Sequence, residues 1–438
     1  MTSIAMPTYA DTRNEASRFR IPWVYAILLG CAFFVFQHDV KVSTYKFFIP
    51  EKDAIGSESG LVKSGRSVGL VAIAGMGIVG LLSSSRFEFH IRRELFWPAA
   101  LLFGWTLLSV LWSASTSVSM KQIFMGTMCL IGAAGLARRC SLTEIVTFSM
   151  VVTAAYIILG LGVEFALGTF KPTDPIHRFA GTVHPNLQSF HCAILCLGAF
   201  SLVRAKGNGS FFLVAVLLFA FAAMLLTRSR GGLVAMLLGM GLNWFVTSSH
   251  MAKFISLLSG CFFASIIAMM LSLQGVDVVG RFDAAKSMGR ADGEDTQSLS
   301  GRMPLWIEVL NQVSHRPITG FGYGAFWSLP QVESVHAKAG WDAPDAHSLY
   351  IESLLNWGLP GLVLVVWIGW SSLRTSTVVY ERTRDAGAAF FASYFLFGMV
   401  NGISESVFTG ASIGTFLAAA GYFHLTFWAP DVAGVESI

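Results

Sequence analysis

One histidine and a handful of arginines carry the chemistry this chain can offer. His347 stands in Asp345 to Gly361 (DAHSLYIESLLNWGLPG), behind Asp342 and Asp345 and ahead of Tyr350 and Glu352. An imidazole with an ordinary pKa of about 6.5 takes a proton from a hydroxyl at neutral pH, so His347 is the first candidate for a general base. The competing carboxylates are Asp345, Glu352 and, on another turn, Glu405. Arg302 lies in Ser300 to Trp306 (SGRMPLW), Arg228 and Arg230 in Thr227 to Gly232 (TRSRGG), and Arg178 just before Phe179 to Asn186 (FAGTVHPN). A guanidinium never loses its charge, and its planar fork grips two phosphate oxygens at once, so such a cluster suits a pyrophosphate. A plainer reading stays open for each residue: arginines near lipid snorkel to headgroups, and a histidine at a helix start caps it or faces solvent.

These residues must be positioned by something apolar. Of 438 residues, 54% are hydrophobic and 13% charged, against roughly 25% charged in soluble domains. The chain reads as an all-α polytopic membrane bundle, and at about 20 residues per crossing it has room for about twelve spans. Apolar runs place them near 22–38, 67–83, 96–113, 121–137, 144–166, 187–203, 211–227, 231–247, 254–273, 349–371, 386–403 and 407–428. The net charge of +4 is small and scattered, which argues against a nucleic-acid partner.

Lys and Arg mark every second connection: Arg86, Arg92 and Arg93, then Arg138 and Arg139, Arg204 and Lys206, Lys253, and Arg374, Arg382 and Arg384. With Arg13, Arg18 and Arg20 in the leader, this alternation puts both termini in the cytoplasm. The expected organisation is a cytoplasmic leader (1–21), nine spans (22–273), a large loop on the far side (274–347), three last spans (348–428) and a cytoplasmic tail (429–438). The first apolar run is a retained anchor, since no small-residue cleavage pattern follows it. The turn Thr227 to Gly232 then carries Arg228 and Arg230 on the non-cytoplasmic side, which marks them as candidates for function.

The large loop is where chemistry has room. After the charged, mobile stretch Asp283 to Asp295, Met303, Trp306, Leu310 and Val313 recur at helical spacing, as in an amphipathic helix lying on the outer membrane surface. Gly320, Gly322 and Gly324 form a G-x-G-x-G run with neither a preceding strand nor a following Gly-Lys-Ser, so they read as turn glycines whose amides could meet an anion. Trp306, Trp327, Trp341 and Tyr323 read as interface aromatics, with sugar stacking as a second role. His191, Cys192 and Cys196 have no second ligand cluster, so no metal site is expected. No cysteine falls in the loop, so no disulfide framework is expected.

Ser229-Arg230-Gly231, Gly301-Arg302 followed by Leu305-Trp306, Pro317 through Gly324, and His347 with Tyr350, Glu352, Gly358 and Gly361 resemble the O-antigen ligase and polymerase superfamily, most closely exopolysaccharide polymerases of the succinoglycan type. The likeness covers Arg178 to Gly361; the first five spans match in hydropathy only. It implies a GT-C-like glycosyltransferase of the bacterial inner membrane acting on an undecaprenyl-pyrophosphate-linked saccharide, with a saccharide acceptor, membrane lipids around it, and assembly partners such as a chain-length regulator and a flippase. It implies that Arg230 and Arg302 hold the pyrophosphate, that His347 activates the acceptor hydroxyl, and that no cofactor or metal is needed. Arg178, Arg228, Tyr350 and Glu352 are the further candidates for contacting substrate. Ser348 departs from the family pattern, where asparagine usually follows the histidine. Two other activities stay in view: a ligase moving finished polymer to lipid A core, and a transporter or flippase of lipid-linked sugars. Transport fits less well, because the ionisable residues gather at one surface and no internal repeat is found.

Overall fold

The computed structural model describes residues 28–32, 60–83, 85, 87–174, 177–206, 210–249, 251–253, 302–330, 332–340 and 343–430. The leader, most of the first expected span, the span at 254–273, the stretch Asp283 to Asp295, Trp341, Asp342 and the end of the tail lie outside them. Among the described residues the regular structure is helical: α1 (Gly60–Leu82), α2 (Arg93–Leu108), α3 (Thr116–Arg139), α4 (Leu142–Ala166), α5 (Pro185–Lys206), α6 (Phe211–Thr227), α7 (Arg230–Thr247), α8 (Arg302–Ser314), α9 (Val332–Ala339), α10 (Leu349–Thr383), α11 (Ala386–Asn401) and α12 (Ile413–Phe427).

Apolar runs become helices because a backbone in hydrocarbon must satisfy its own hydrogen bonds. Among the described residues, five helices are long and apolar enough to cross a membrane: Arg93–Leu111, Thr116–Arg139, Leu142–Ala166, Pro185–Ala205 and Leu349–Thr383. Ser67–Leu82, Phe211–Thr227, Ala386–Asn401 and Ile413–Phe427 are shorter apolar helices. This is a multi-pass membrane protein. Every expected span that falls on described residues coincides with a helix, although α7, with Gly239, Gly241 and Asn243 along it, falls below that measure of span character. Local signals set the ends. Ser141 and Glu144 form a capping box on α4, Asp385 caps α11 through Gly387 N, and Ser412 caps α12 through Thr415 N.

Hydrogen bonds sort the connections into two ends. At one, Arg138 Nε donates to Ser83 O (3.1 Å), Arg204 Nε to Thr247 Oγ1 (3.1 Å), Arg92 Nη2 to Ala429 O (3.1 Å), and Thr143 Oγ1 to Asp385 Oδ1 (2.6 Å). At the other, Ala114 N bonds Phe321 O (2.9 Å), Phe179 N bonds Leu226 O (2.8 Å), and Leu349 N bonds Gly402 O (2.8 Å). The arginine-marked connections thus share one end, and the residues with chemical potential gather at the other.

Two boundaries and one apolar stripe differ from expectation. The helix expected over 349–371 runs to Thr383, and the span expected over 407–428 begins at Ile413, leaving 402–412 as a non-helical turn that carries Glu405. The amphipathic helix α8 exists and begins at Arg302, but its expected stripe is divided. Leu305, Val309 and Val313 pack with Phe321, Phe326 and Val335 in an apolar core separate from that of the bundle, while Met303, Ile307 and Leu310 face outward. The aromatics are likewise tied inward: Trp306 Nε1 donates to Ala346 O (2.8 Å), and Tyr323 stacks on Trp357 with centroids 5.2 Å apart.

α10 is interrupted where this module meets the bundle. Gly358 takes φ 67° and ψ −164°, and the segment from Pro317 plugs into the opening, with Leu359 N bonding Pro317 O (2.8 Å) and Phe321 N bonding Leu355 O (2.7 Å). A Cβ on Gly358 would fall 2.2 Å from Ile318 O, so backbone angle and space both demand glycine here. Gly358→Ala should therefore destabilise the detergent-purified protein by roughly 1–3 kcal/mol or more and lower its thermal midpoint. Gly104→Ala, where a Cβ would meet nothing within 4 Å, should leave the midpoint unchanged or raised.

Candidate functional site

The 402–412 turn brings a carboxylate to the meeting point of four stretches. Glu405 Oε1 accepts from Arg302 Nη2 at 2.6 Å and from Asn186 Nδ2 at 2.6 Å, and Glu405 Oε2 lies 3.5 Å from His347 Nδ1. Asn186 Oδ1 in turn accepts from Arg178 Nη2 at 2.7 Å, and Arg178 Nε donates to Thr227 O at 3.1 Å. The side chains of Glu405, Arg302 and His347 are 17%, 16% and 16% exposed, enough to meet a ligand yet shielded enough for charge–charge attraction to matter.

Backbone geometry aims His347. It adopts φ 46°, a left-handed conformation unusual for a side chain of this size, and its N–H donates to Asp345 Oδ1 at 2.7 Å. Ser406 Oγ donates to the same carboxylate oxygen at 2.6 Å, which ties the residue before α10 to the Glu405 turn. Burial opposes the charged imidazolium, but the Glu405 hydrogen bond and the carboxylates of Asp345 and Glu405 outweigh it, even against the nearby Arg302 charge. The His347 pKa is raised above its ordinary value as a result.

Of the residues expected from sequence, the structure joins Arg302, His347 and Arg178 in one hydrogen-bonded cluster. Arg230 opens α7, and its neighbour Gly231 abuts the residue before Glu405: a Cβ there would lie 2.8 Å from Ser404 Oγ. Arg228 takes a left-handed cap conformation (φ 51°) at the end of α6 and donates from Nη2 to Asp174 O at 2.9 Å, a bond that holds the loop before Arg178. Glu352 is buried beneath His347. It accepts from Ala346 N (3.1 Å) and from Trp327 Nε1 at 3.1 and 3.2 Å, so it supports the site from behind. Tyr350 Oη donates to Met399 O (2.6 Å), and its ring lines an apolar cavity of about 600 Å³ with Leu349, Trp357, Phe408 and Phe103. Leu349 and Phe408 place this cavity next to the His347 and Glu405 segments.

The G-x-G-x-G run is packing rather than an anion cradle. The amides of Gly320, Phe321, Tyr323 and Gly324 go to Arg316 O, Leu355 O, Ser109 Oγ and Asn356 Oδ1. A Cβ on Gly320, Gly322 or Gly324 would fall 2.6 to 2.7 Å from Leu355 O, Ser113 or Gln122. Cys192 and Cys196 are buried free thiols, and His191 stacks on Tyr156 at 4.7 Å. Among the described residues no group of three or more His, Cys, Asp or Glu is placed to hold a metal ion.

Sequence reasoning missed Asn186, which sits inside the quoted FAGTVHPN stretch yet reads as a helix-start residue after Pro185. It also took Glu405 only for a rival base. Nothing local to either residue signals a partner more than 200 positions away.

Fold and site together describe a helical multi-pass membrane protein with an Arg–His–carboxylate cluster at one end of its bundle, beside an apolar cavity. Two comparisons with known proteins agree with that class. Residues 215–366 match the family described as O-antigen ligase, a segment holding Arg228, Arg230, Arg302 and His347 while leaving out Arg178, Asn186 and Glu405. The chain is also 23% identical, over 294 residues, to the exopolysaccharide production protein ExoQ of Rhizobium meliloti (strain 1021), covering 61% of this chain and 62% of that relative. The match thus spans less than two thirds of the relative's own length. Together they bear out the likeness to the O-antigen ligase and polymerase superfamily read from the motifs.

The coupling of His347 to Glu405 is directly measurable. Neutral imidazole reacts with diethyl pyrocarbonate and imidazolium does not, so modification of His347 should rise with pH through its elevated pKa. Glu405→Gln, which removes a carboxylate that stabilises the charged ring, should move that midpoint to lower pH. Peptide mass spectrometry of the modified protein reads it, and a midpoint equal in both proteins would contradict the coupling.

Proposed function

We propose that this chain is a membrane-embedded glycosyltransferase that polymerises undecaprenyl-pyrophosphate-linked saccharide repeats into exopolysaccharide or O-antigen at the periplasmic face of the bacterial inner membrane. The observation that carries the reading is the convergence of Arg302, His347 and, through Asn186, Arg178 on Glu405, at the end of the bundle opposite the arginine-marked connections. The superfamily likeness and the relative named for exopolysaccharide production support it.

The mechanism proposed is a single inverting displacement. An acceptor sugar hydroxyl attacks the donor's anomeric carbon as the bond from that carbon to the pyrophosphate oxygen breaks, and the bonding pair leaves with the lipid pyrophosphate. His347 takes the hydroxyl proton, its Nδ1 held by Glu405 so that Nε2 is the receiving nitrogen. Arg302, Arg230 and Arg178 stabilise the charge growing on the departing pyrophosphate, a task suited to fixed cations at a membrane surface. Glu405 balances Arg302 before the donor arrives, which lowers the cost of holding a guanidinium at this depth. The apolar cavity beside Tyr350 suits the lipid part of the donor. The α8–α9 module would cover the site on the periplasmic side, with both termini in the cytoplasm. A chain-length regulator and a flippase would act alongside.

The description of the matching family favours a second reading, in which the same cluster moves finished polymer to lipid A core. The product separates them: lengthened lipid-linked repeats mean a polymerase, capped core with unchanged chain length a ligase.

In nanodiscs supplied with a defined lipid-linked donor, His347→Ala should slow transfer by on the order of 10²–10⁴-fold, and Arg302→Ala by roughly 10²–10³-fold, each rate taken per amount of inserted protein. Because the base must be neutral to act, wild-type activity should rise with pH through the raised His347 pKa, and Glu405→Gln should shift that limb to lower pH. Full activity in His347→Ala would sink the reading.

A further inference from the structure

Glu164 stands 14 residues before Arg178 in the chain, at the end of α4, and belongs to none of the motifs above. It is nevertheless 5% exposed, a carboxylate placed in the interior where only dedicated partners justify it. Its Oε1 accepts from the backbone amides of Ala180 (2.9 Å) and Gly181 (2.8 Å), and its Oε2 lies 3.5 Å from His177 Nε2. Its own carbonyl accepts from Thr169 N (2.9 Å) and Phe170 N (3.3 Å). One residue thus fastens both ends of the 169–181 loop, and its side chain brackets Arg178 from position 177 on one side and positions 180 and 181 on the other.

The loop is seated as well as tied. Gly181 has φ 61° and lies against Gly160, one turn back along α4, so closely that a Cβ would fall 2.5 Å from Gly160 Cα. Phe179 N bonds Leu226 O at 2.8 Å, which closes the loop against the end of α6. What emerges from this clamp is the Arg178 side chain, whose guanidinium reaches Thr227 O and Asn186 Oδ1, and Asn186 reaches Glu405. Two carboxylates therefore stand at the ends of one relay: Glu164 sets where the loop sits, and Glu405 receives what the loop presents.

We propose that Glu164 is a positioning residue that sets Arg178 for gripping the donor's pyrophosphate, and so contributes to donor binding without touching the donor. The inference rests on the reading under Proposed function. A helix-end carboxylate that merely closes a loop would instead affect stability alone.

The test uses full-length protein in nanodiscs and two readouts: titration with inorganic pyrophosphate, and the KM and kcat for a lipid-linked donor. Glu164→Ala should weaken pyrophosphate binding about tenfold or more, the size expected for one lost charge-assisted contact. It should raise the donor KM more than it lowers kcat, leave the acceptor KM in place, and add nothing in an Arg178→Ala background. Glu164→Gln keeps a carbonyl oxygen for the Ala180 and Gly181 amides and should restore binding to near wild type. Should Glu164→Ala fail to accumulate, Glu164→Asp, one methylene shorter, reads the same cycle. Unchanged pyrophosphate affinity in the truncated variant, or full additivity with Arg178→Ala, overturns the inference. If the wild type binds pyrophosphate but converts no lipid-linked donor, the transferase reading falls while the titration still decides the role of Glu164. If it binds no pyrophosphate, the inference falls.

Discussion

The structure depends on how one carboxylate is neutralised. Glu405 sits on a turn between two apolar helices, mostly withdrawn from water, where an unpaired charge is costly. Its partners come from distant parts of the chain: Arg302 from the start of α8, Asn186 from the start of α5 and His347 from the entry to α10. Each pairing also solves a problem for the partner, because Arg302 and His347 are themselves largely shielded. The same bonds that stabilise the bundle end thereby assemble a cation, an imidazole and an amide within reach of one point.

Assembly of that point needs a break in an otherwise continuous helix. α10 opens at Gly358 so that the Pro317 segment can enter, and this docks the module of α8 and α9 onto the bundle. Trp306 and Trp327 extend the docking toward the site through Ala346 O and Glu352, the two contacts that lie just beneath His347. The glycines at 320, 322 and 324 serve close approach to Leu355, Ser113 and Gln122. The plug is thereby tied to α10, whose first helical residue follows His347 and Ser348.

Polarity along the bundle axis follows from the alternation of charged connections. One end spends its arginines on structure: Arg92 closes carbonyls at the end of α12, Arg138 bonds Ser83 O, and Arg204 bonds Thr247 and Ser248. At the other end the arginines meet side chains with chemical uses, and the apolar cavity runs from there along the bundle, from Tyr350 and Phe408 to Phe96 and Phe427. A ligand with a charged head and an apolar tail would find both halves of its chemistry there, the guanidinium groups for the head and the Tyr350 and Trp357 walls for the tail.

Hydrophobic periodicity by itself determined the helical class and roughly where each described helix falls, because burial in hydrocarbon is read residue by residue along the chain. Residue types marked Arg178, Arg302 and His347 for their chemistry. They did not divide the α8 stripe between a private core and an outward face, since Leu305 and Ile307 are equally apolar and only the fold of residues 317–346 decides which is covered. Nor did they reveal Asn186, Glu164 or the central place of Glu405, whose importance lies in partners reached across folded space. A side chain's type is local and legible, whereas its hydrogen-bond partner 219 positions away exists only once packing has fixed both backbones.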